Sequence, residues 1–78
     1  MTRMTRYWVR EINVCGGRYA EVVARSASDA VRELVGWPIT RTWRGIAHAE
    51  NPTCKHMPSD KRPFVRAEPL AWFLGTRQ

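Results

Sequence analysis

Cysteine is scarce in this chain: Cys15 and Cys54 are the only two among 78 residues. A pair of isolated thiols does not make the disulfide framework of a small secreted domain, so both are expected reduced, in the cytoplasm of a bacterial host cell. Long apolar runs are missing as well. No stretch approaches the roughly 20 residues that a membrane-spanning helix needs, and the basic start MTRMTR has no apolar segment behind it, so no secretory signal is expected. Histidine is limited to His48 and His56, and lysine to Lys55 and Lys61.

These shortages narrow the chemistry. Nucleophilic catalysis needs a base within reach of the nucleophile and a third group to orient it. Cys54 and His56 are close in sequence but lie in a proline-rich stretch with no acid fixed beside them. Cys15, His48, Cys54 and His56 are ligand types that zinc accepts, yet no C-x-x-C or H-x-x-x-H spacing organises them. Gly16-Gly17 has no G-x-G-x-x-G or G-K-[ST] around it, and Asn51-Pro52-Thr53 carries proline at the position that forbids glycosylation. The expectation is a protein that binds rather than catalyses, without metal or cofactor.

Positive charge is what the chain has in plenty. Thirteen basic residues face 7 acidic ones, for a net charge of +6, and eleven of the thirteen are arginine. Arginine offers a planar, weakly hydrated fork suited to phosphates, carboxylates and aromatic faces. The excess is uneven: residues 1–36 carry a net +2, residues 37–66 a net +4, and the remainder is neutral. Tryptophan is also frequent, at Trp8, Trp37, Trp43 and Trp72. At this length a chain buries only about 60% of its unfolded surface. A thin core drawing on Trp, Val, Ile, Leu and Phe is therefore expected, in one domain covering residues 1–78.

The local patterns predict an α+β fold. Residues 6–14 (RYWVREINV) alternate as a strand, with Trp8, Arg10, Ile12 and Val14 on one face and Tyr7 and Val9 on the other. Gly16-Gly17 supplies a tight hairpin turn, and residues 19–24 (YAEVVA) return with Ala20, Val22 and Ala24 opposite Tyr19, Glu21 and Val23. Ser26 caps a helix over 27–35, with Asp29 suited to its positive end. Ala27, Ala30, Val31, Leu34 and Val35 form its apolar stripe, and Gly36 and Pro38 stop it. Residues 40–49 read as a third strand of ambiguous phase, because Trp43, Ala47 and Ala49 compete with Ile46 for the buried face. Residues 50–63 read as a long loop, residues 64–67 as a fourth strand, and residues 70–74 as a short C-terminal helical turn. The sum is an antiparallel sheet of three to four strands, ββαββ, with the third strand beside the first and one helix on one face.

The segment RYAEVVARSASDAVRELVG, a strand, a serine cap, an Ala-rich helix and a glycine stop, sits between a hairpin strand and further sheet. In that order and at that length it resembles the small β-β-α-β-β proteins of phages and mobile elements, among them type I anti-CRISPR proteins. The resemblance covers residues 6–49 as a pattern of elements and transfers no functional residue. It implies a non-enzymatic inhibitor, monomeric or homodimeric, that docks on a host protein complex such as a type I CRISPR effector and blocks nucleic-acid binding or recruitment.

From the residues themselves the alternative is a small domain that binds DNA or RNA directly. Arg41, Trp43 and Arg44 interleave charge and aromatic surface, Lys61, Arg62 and Arg66 extend the charge, and Tyr7 adds a second aromatic anchor. These seven residues are the candidate binding surface under either reading.

Overall fold

Within residues 3–71, which the computed structural model describes, two hairpins and a lone C-terminal strand build one sheet. The elements are β1 (Thr5–Ile12), β2 (Tyr19–Ala24), α1 (Ala27–Leu34), β3 (Ile39–Trp43), β4 (Ile46–Glu50) and β5 (Phe64–Pro69), with 3₁₀ turns at Pro52–Cys54 and Ser59–Lys61. All strand pairs are antiparallel, in the order β2-β1-β5-β4-β3. The last strand is thus the central one, inserted between the hairpins. The expected pairing of the third strand with the first does not occur: β5 takes that place, and β3 lies at the far edge. Among the described residues no helix is long and apolar enough to cross a membrane.

The fold class is α+β as read from the sequence, but the sheet has five strands rather than three or four. The additional strand comes from residues 40–49, which do not run straight. Arg44 (φ 48°) and Gly45 (φ 77°) both adopt left-handed backbone, the geometry of a two-residue turn whose twist matches that of its flanking strands. The turn settles the ambiguous phase. Ala47 and Ala49 are fully buried beneath α1, while Trp43 and Ile46 pair on the opposite face.

The core under α1 is made of small residues. Val9, Val31 and Val65 are its largest fully buried side chains, joined by Ala30, Ala47, Ala49 and Ala67, all without solvent exposure. Tyr7 and Val35 close it, and Trp37 packs against its margin. Burying a valine contributes roughly 1.5–3 kcal/mol, so this layer is thin, as the length demands. Of the expected Trp, Val, Ile, Leu and Phe, valine supplies the core, and Leu34, Trp37 and Ile39 pack against it. Trp8, Trp43 and Phe64 lie on the other face, because strand alternation puts them out of phase with the valines.

Ser26 caps α1 as expected, its hydroxyl accepting from Asp29 N at 3.2 Å. Asp29 pairs with Arg32 at 3.0 Å. The helix ends on Val35 in extended conformation (φ −142°) rather than on a left-handed Gly36. The Gly-Gly connection is longer than a tight turn, occupying residues 13–18. Gly16 has φ 67°, and a side chain on Gly17 would meet the Glu11 Cβ and carbonyl oxygen at 3.0 Å. Glu11 instead accepts from Arg18 N and Nε at 3.0 and 2.7 Å, which holds its carboxyl below the usual range.

The loop across 51–63 is built rather than bare. The Asn51 side chain accepts from Thr53 N at 3.0 Å, and Asn51 N donates to Pro63 O at 3.0 Å. The Arg62 guanidinium donates to Met57 O and Lys55 O at 2.9 and 3.1 Å. Asn13, itself left-handed at φ 65°, donates to Asp60 O and Arg62 O at 3.1 Å each. Cys15 and Cys54 are unpaired. Of the predicted C-terminal turn, Leu70 and Ala71 are helical, and Trp72, Phe73 and Leu74 lie outside the described residues.

A candidate cation and aromatic interface

The face turned away from α1 receives every second side chain of each strand. Strand register then aligns these side chains into rows. One row crosses all five strands: Tyr19 opposes Arg10, Arg10 opposes Arg66, Arg66 opposes His48, and His48 opposes Arg41. Four strand spacings make it roughly 19 Å long. To one side Trp8 lies between Glu21 and Glu68, with Ile46 and Trp43 beyond. On the other side Phe64 lies between Ile12 and Glu50.

Like charges directly opposite each other on neighbouring strands repel, so Arg10 against Arg66 needs a counterion. Glu68 supplies it. Its side chain is 4% exposed, and Oε1 lies 3.4 Å from Arg10 Nη2 and 3.2 Å from Arg66 Nε. Both arginines keep part of their side chains in solvent, at 39% and 29%. Their Nε atoms are nonetheless buried and make no hydrogen bond within the protein.

Aromatic rings flank the row in two groups. Trp8 and Tyr19 lie 5.4 Å apart, and Tyr19 is 68% exposed. At the other end His48 is held edge-on to Trp43 at 4.8 Å and tilted against Phe64 at 4.7 Å. The Arg41 guanidinium lies 4.6 Å over the Trp43 ring, a cation–π contact that leaves its hydrogen-bond donors for another partner. Removal from water, then Arg66 and Arg41, push the His48 pKa below its ordinary 6.5 against the opposing pull of Glu50. The ring is therefore neutral at pH 7, and its buried Nε2 has no hydrogen-bond partner in the protein.

Beside these rings the loop forms a concave wall. Ser59 and Arg62 face Arg41, His48, Glu50 and Phe64 across a cavity of about 340 Å³. Glu50 Oε2 lies 3.5 Å from Arg62 Nη1, tying wall to sheet. Among the described residues no group of three or more His, Cys, Asp or Glu is placed to hold a metal ion.

Of the seven sequence candidates, Arg41, Trp43 and Arg66 meet on this face. Arg44 sits at the tip of the β3–β4 turn and Lys61 is exposed in the second 3₁₀ turn. Arg62 borders the cavity, but its guanidinium is committed to the loop carbonyls and Glu50. Tyr7 does not join them: it is 6% exposed beneath α1. Trp8, Arg10, Tyr19, His48, Glu50, Phe64 and Glu68 were absent from the candidate set. Alternation along FVRAEP, with Val65 and Ala67 inward, was the available signal for the last two.

The fold and the face together define an α+β protein with one sheet surface packed by a helix and the other given to arginine and aromatic rings. The chain matches no protein-family model, no curated protein and no solved structure.

Proposed function

We propose that this is a non-enzymatic binding protein that takes a single-stranded nucleic acid across the sheet face turned away from α1. The observation carrying this reading is the row Arg10–Arg66–His48–Arg41, flanked at both ends by partly exposed aromatic rings. Arginine forks meet phosphates, and bases stack on indole and phenol rings without regard to sequence. A sheet face suits an extended strand with splayed bases better than a duplex groove. Glu68 neutralises part of the row and so keeps it folded in the absence of ligand.

The test is a titration of fluorescently labelled single-stranded and duplex oligonucleotides at several salt concentrations. Single strands bind more tightly. Engagement of three arginines gives a slope of log K against log salt of about −2. Arg41→Gln lowers the slope by roughly 0.7, and Trp43→Ala costs about 1–3 kcal/mol of binding. Equal affinity for duplex, or a slope near zero, overturns the reading.

A second reading is the phage-type inhibitor that docks on a CRISPR surveillance complex. What favours it is the composition of the face, since Trp, Tyr and Arg are the residue types that dominate protein–protein hot spots, together with the strand–helix order noted above. Co-purification with effector subunits that survives nuclease treatment supports this reading; loss of all partners on digestion contradicts it.

A further inference from the structure

We propose, resting on the nucleic-acid reading above, that the cavity between the sheet and the 51–63 loop is a single-nucleotide pocket that prefers cytosine to thymine. The cavity, about 340 Å³, has room for one base and its sugar. Its walls differ in chemistry in the way a nucleotide requires. Phe64 and His48 give an aromatic side for the base, their centroids 4.7 Å apart. Arg41, its guanidinium 4.6 Å over the Trp43 ring, also lines the cavity and would meet the phosphate of that nucleotide.

Glu50 decides which base. It is the one carboxylate lining the cavity, and Arg62 Nη1 lies 3.5 Å from its Oε2. A carboxylate accepts from the exocyclic amine of cytosine and has nothing to accept from the corresponding carbonyl of thymine, which it repels. Arg62 cannot swing away to cover the carboxylate fully, because its Nε and Nη2 are held by Met57 O and Lys55 O. The neutral His48 ring adds no charge that would reverse the preference. Ser59 supplies a hydroxyl on the loop side for the remaining polar edge.

The test uses the full chain and short homopolymers, oligo-dC and oligo-dT of equal length, titrated at one salt concentration. Oligo-dC binds about tenfold more tightly, as one charge-assisted base contact predicts. Glu50→Ala abolishes the preference, so that oligo-dC and oligo-dT bind with equal affinity. Thermal unfolding of the variant reports whether the loop has stayed in place, and Ser59→Ala provides a second lining variant that leaves the Glu50–Arg62 pair intact. Equal binding of both homopolymers by the unaltered protein overturns the pocket while leaving the wider reading standing. Failure of both to bind overturns both. A preference that survives Glu50→Ala also overturns the assignment to Glu50.

Discussion

The two faces of the sheet are built from the same strands by opposite rules. Under α1 the fully buried side chains of the sheet are valine and alanine: Val9, Val65, Ala47, Ala49 and Ala67 are wholly out of solvent. On the reverse, one residue away along each strand, stand Trp8, Arg10, His48, Phe64, Arg66 and Glu68. A thin core would be served by burying the large aromatics, each of which carries far more area than valine. The chain instead places Trp8, Trp43 and Phe64 on the face without the helix, next to guanidinium groups. On the proposed reading, stability and ligand recognition are separated by the pleat, and single substitutions test that separation.

The largest effect is expected from crossing the two rules. Val65→Asp places an unpaired carboxylate at a fully buried site of the central strand. Its cost of several kcal/mol approaches the roughly 4–12 kcal/mol that holds a chain of this size together. Circular dichroism should show an unfolded protein. Normal folding of this variant would mean that the face under α1 is not the core.

Glu68→Gln sharpens the comparison, because it should change the two properties in opposite directions. Removing the counterion of Arg10 and Arg66 destabilises by about 1–3 kcal/mol, below the cost of a fully buried pair because both arginines are partly solvated. The same change raises the positive charge of the face and should tighten binding of a single-stranded oligonucleotide. Chemical denaturation and the binding titration, run on one preparation, check both halves. Loss of stability accompanied by loss of binding would tie the two faces together.

A smaller gain is expected at the β3–β4 turn. Arg44 holds left-handed backbone at φ 48°, which costs a non-glycine residue roughly 1–2 kcal/mol. Arg44→Asn, preferred in this turn type, should raise stability by about 0.5–1 kcal/mol on thermal unfolding. A fall would show that the arginine side chain has a structural contact outweighing its strain.

The smallest effect is in acid. The folded His48 pKa lies below 6.5, because of partial burial and then Arg66 and Arg41. The unfolded chain therefore takes up a proton first as pH falls below 6.5, and stability declines from there until the folded ring is protonated too. Glu11, whose folded pKa is lowered by Arg18, adds a separate decline beginning near its ordinary 4.5. His48→Gln should remove the upper decline and leave the lower one. Denaturation midpoints measured from pH 7 down to about pH 2 resolve the windows.

Much of this was legible in the residues. Alternation in RYWVREINV already put Tyr7 and Val9 on one face and Trp8 and Arg10 on the other, as found. The Ser26 cap and the apolar stripe defined α1 because both are local. The β3–β4 turn was missed because Arg-Gly is not among the common pairs for it, although glycine at the second turn position was the clue. The position of β5 was not readable, since its pairing with both hairpins depends on contacts across most of the chain. The rows on the site face depend on that insertion. Arg41, Trp43 and Arg66 could be picked out as single residues, whereas the alignment of Arg10, Arg66, His48 and Arg41 could not.

The measurement that bears most directly on the central claim is an NMR titration of the isotope-labelled protein with a short single-stranded oligonucleotide. The indole signals of Trp8 and Trp43 and the Nε signals of Arg10, Arg41 and Arg66 are expected to shift together and saturate at one ligand per chain. Signals from Arg32 and Glu33 on the outer side of α1 should stay in place. Shifts confined to α1, or none at ligand concentrations that saturate other single-strand binders, would contradict it.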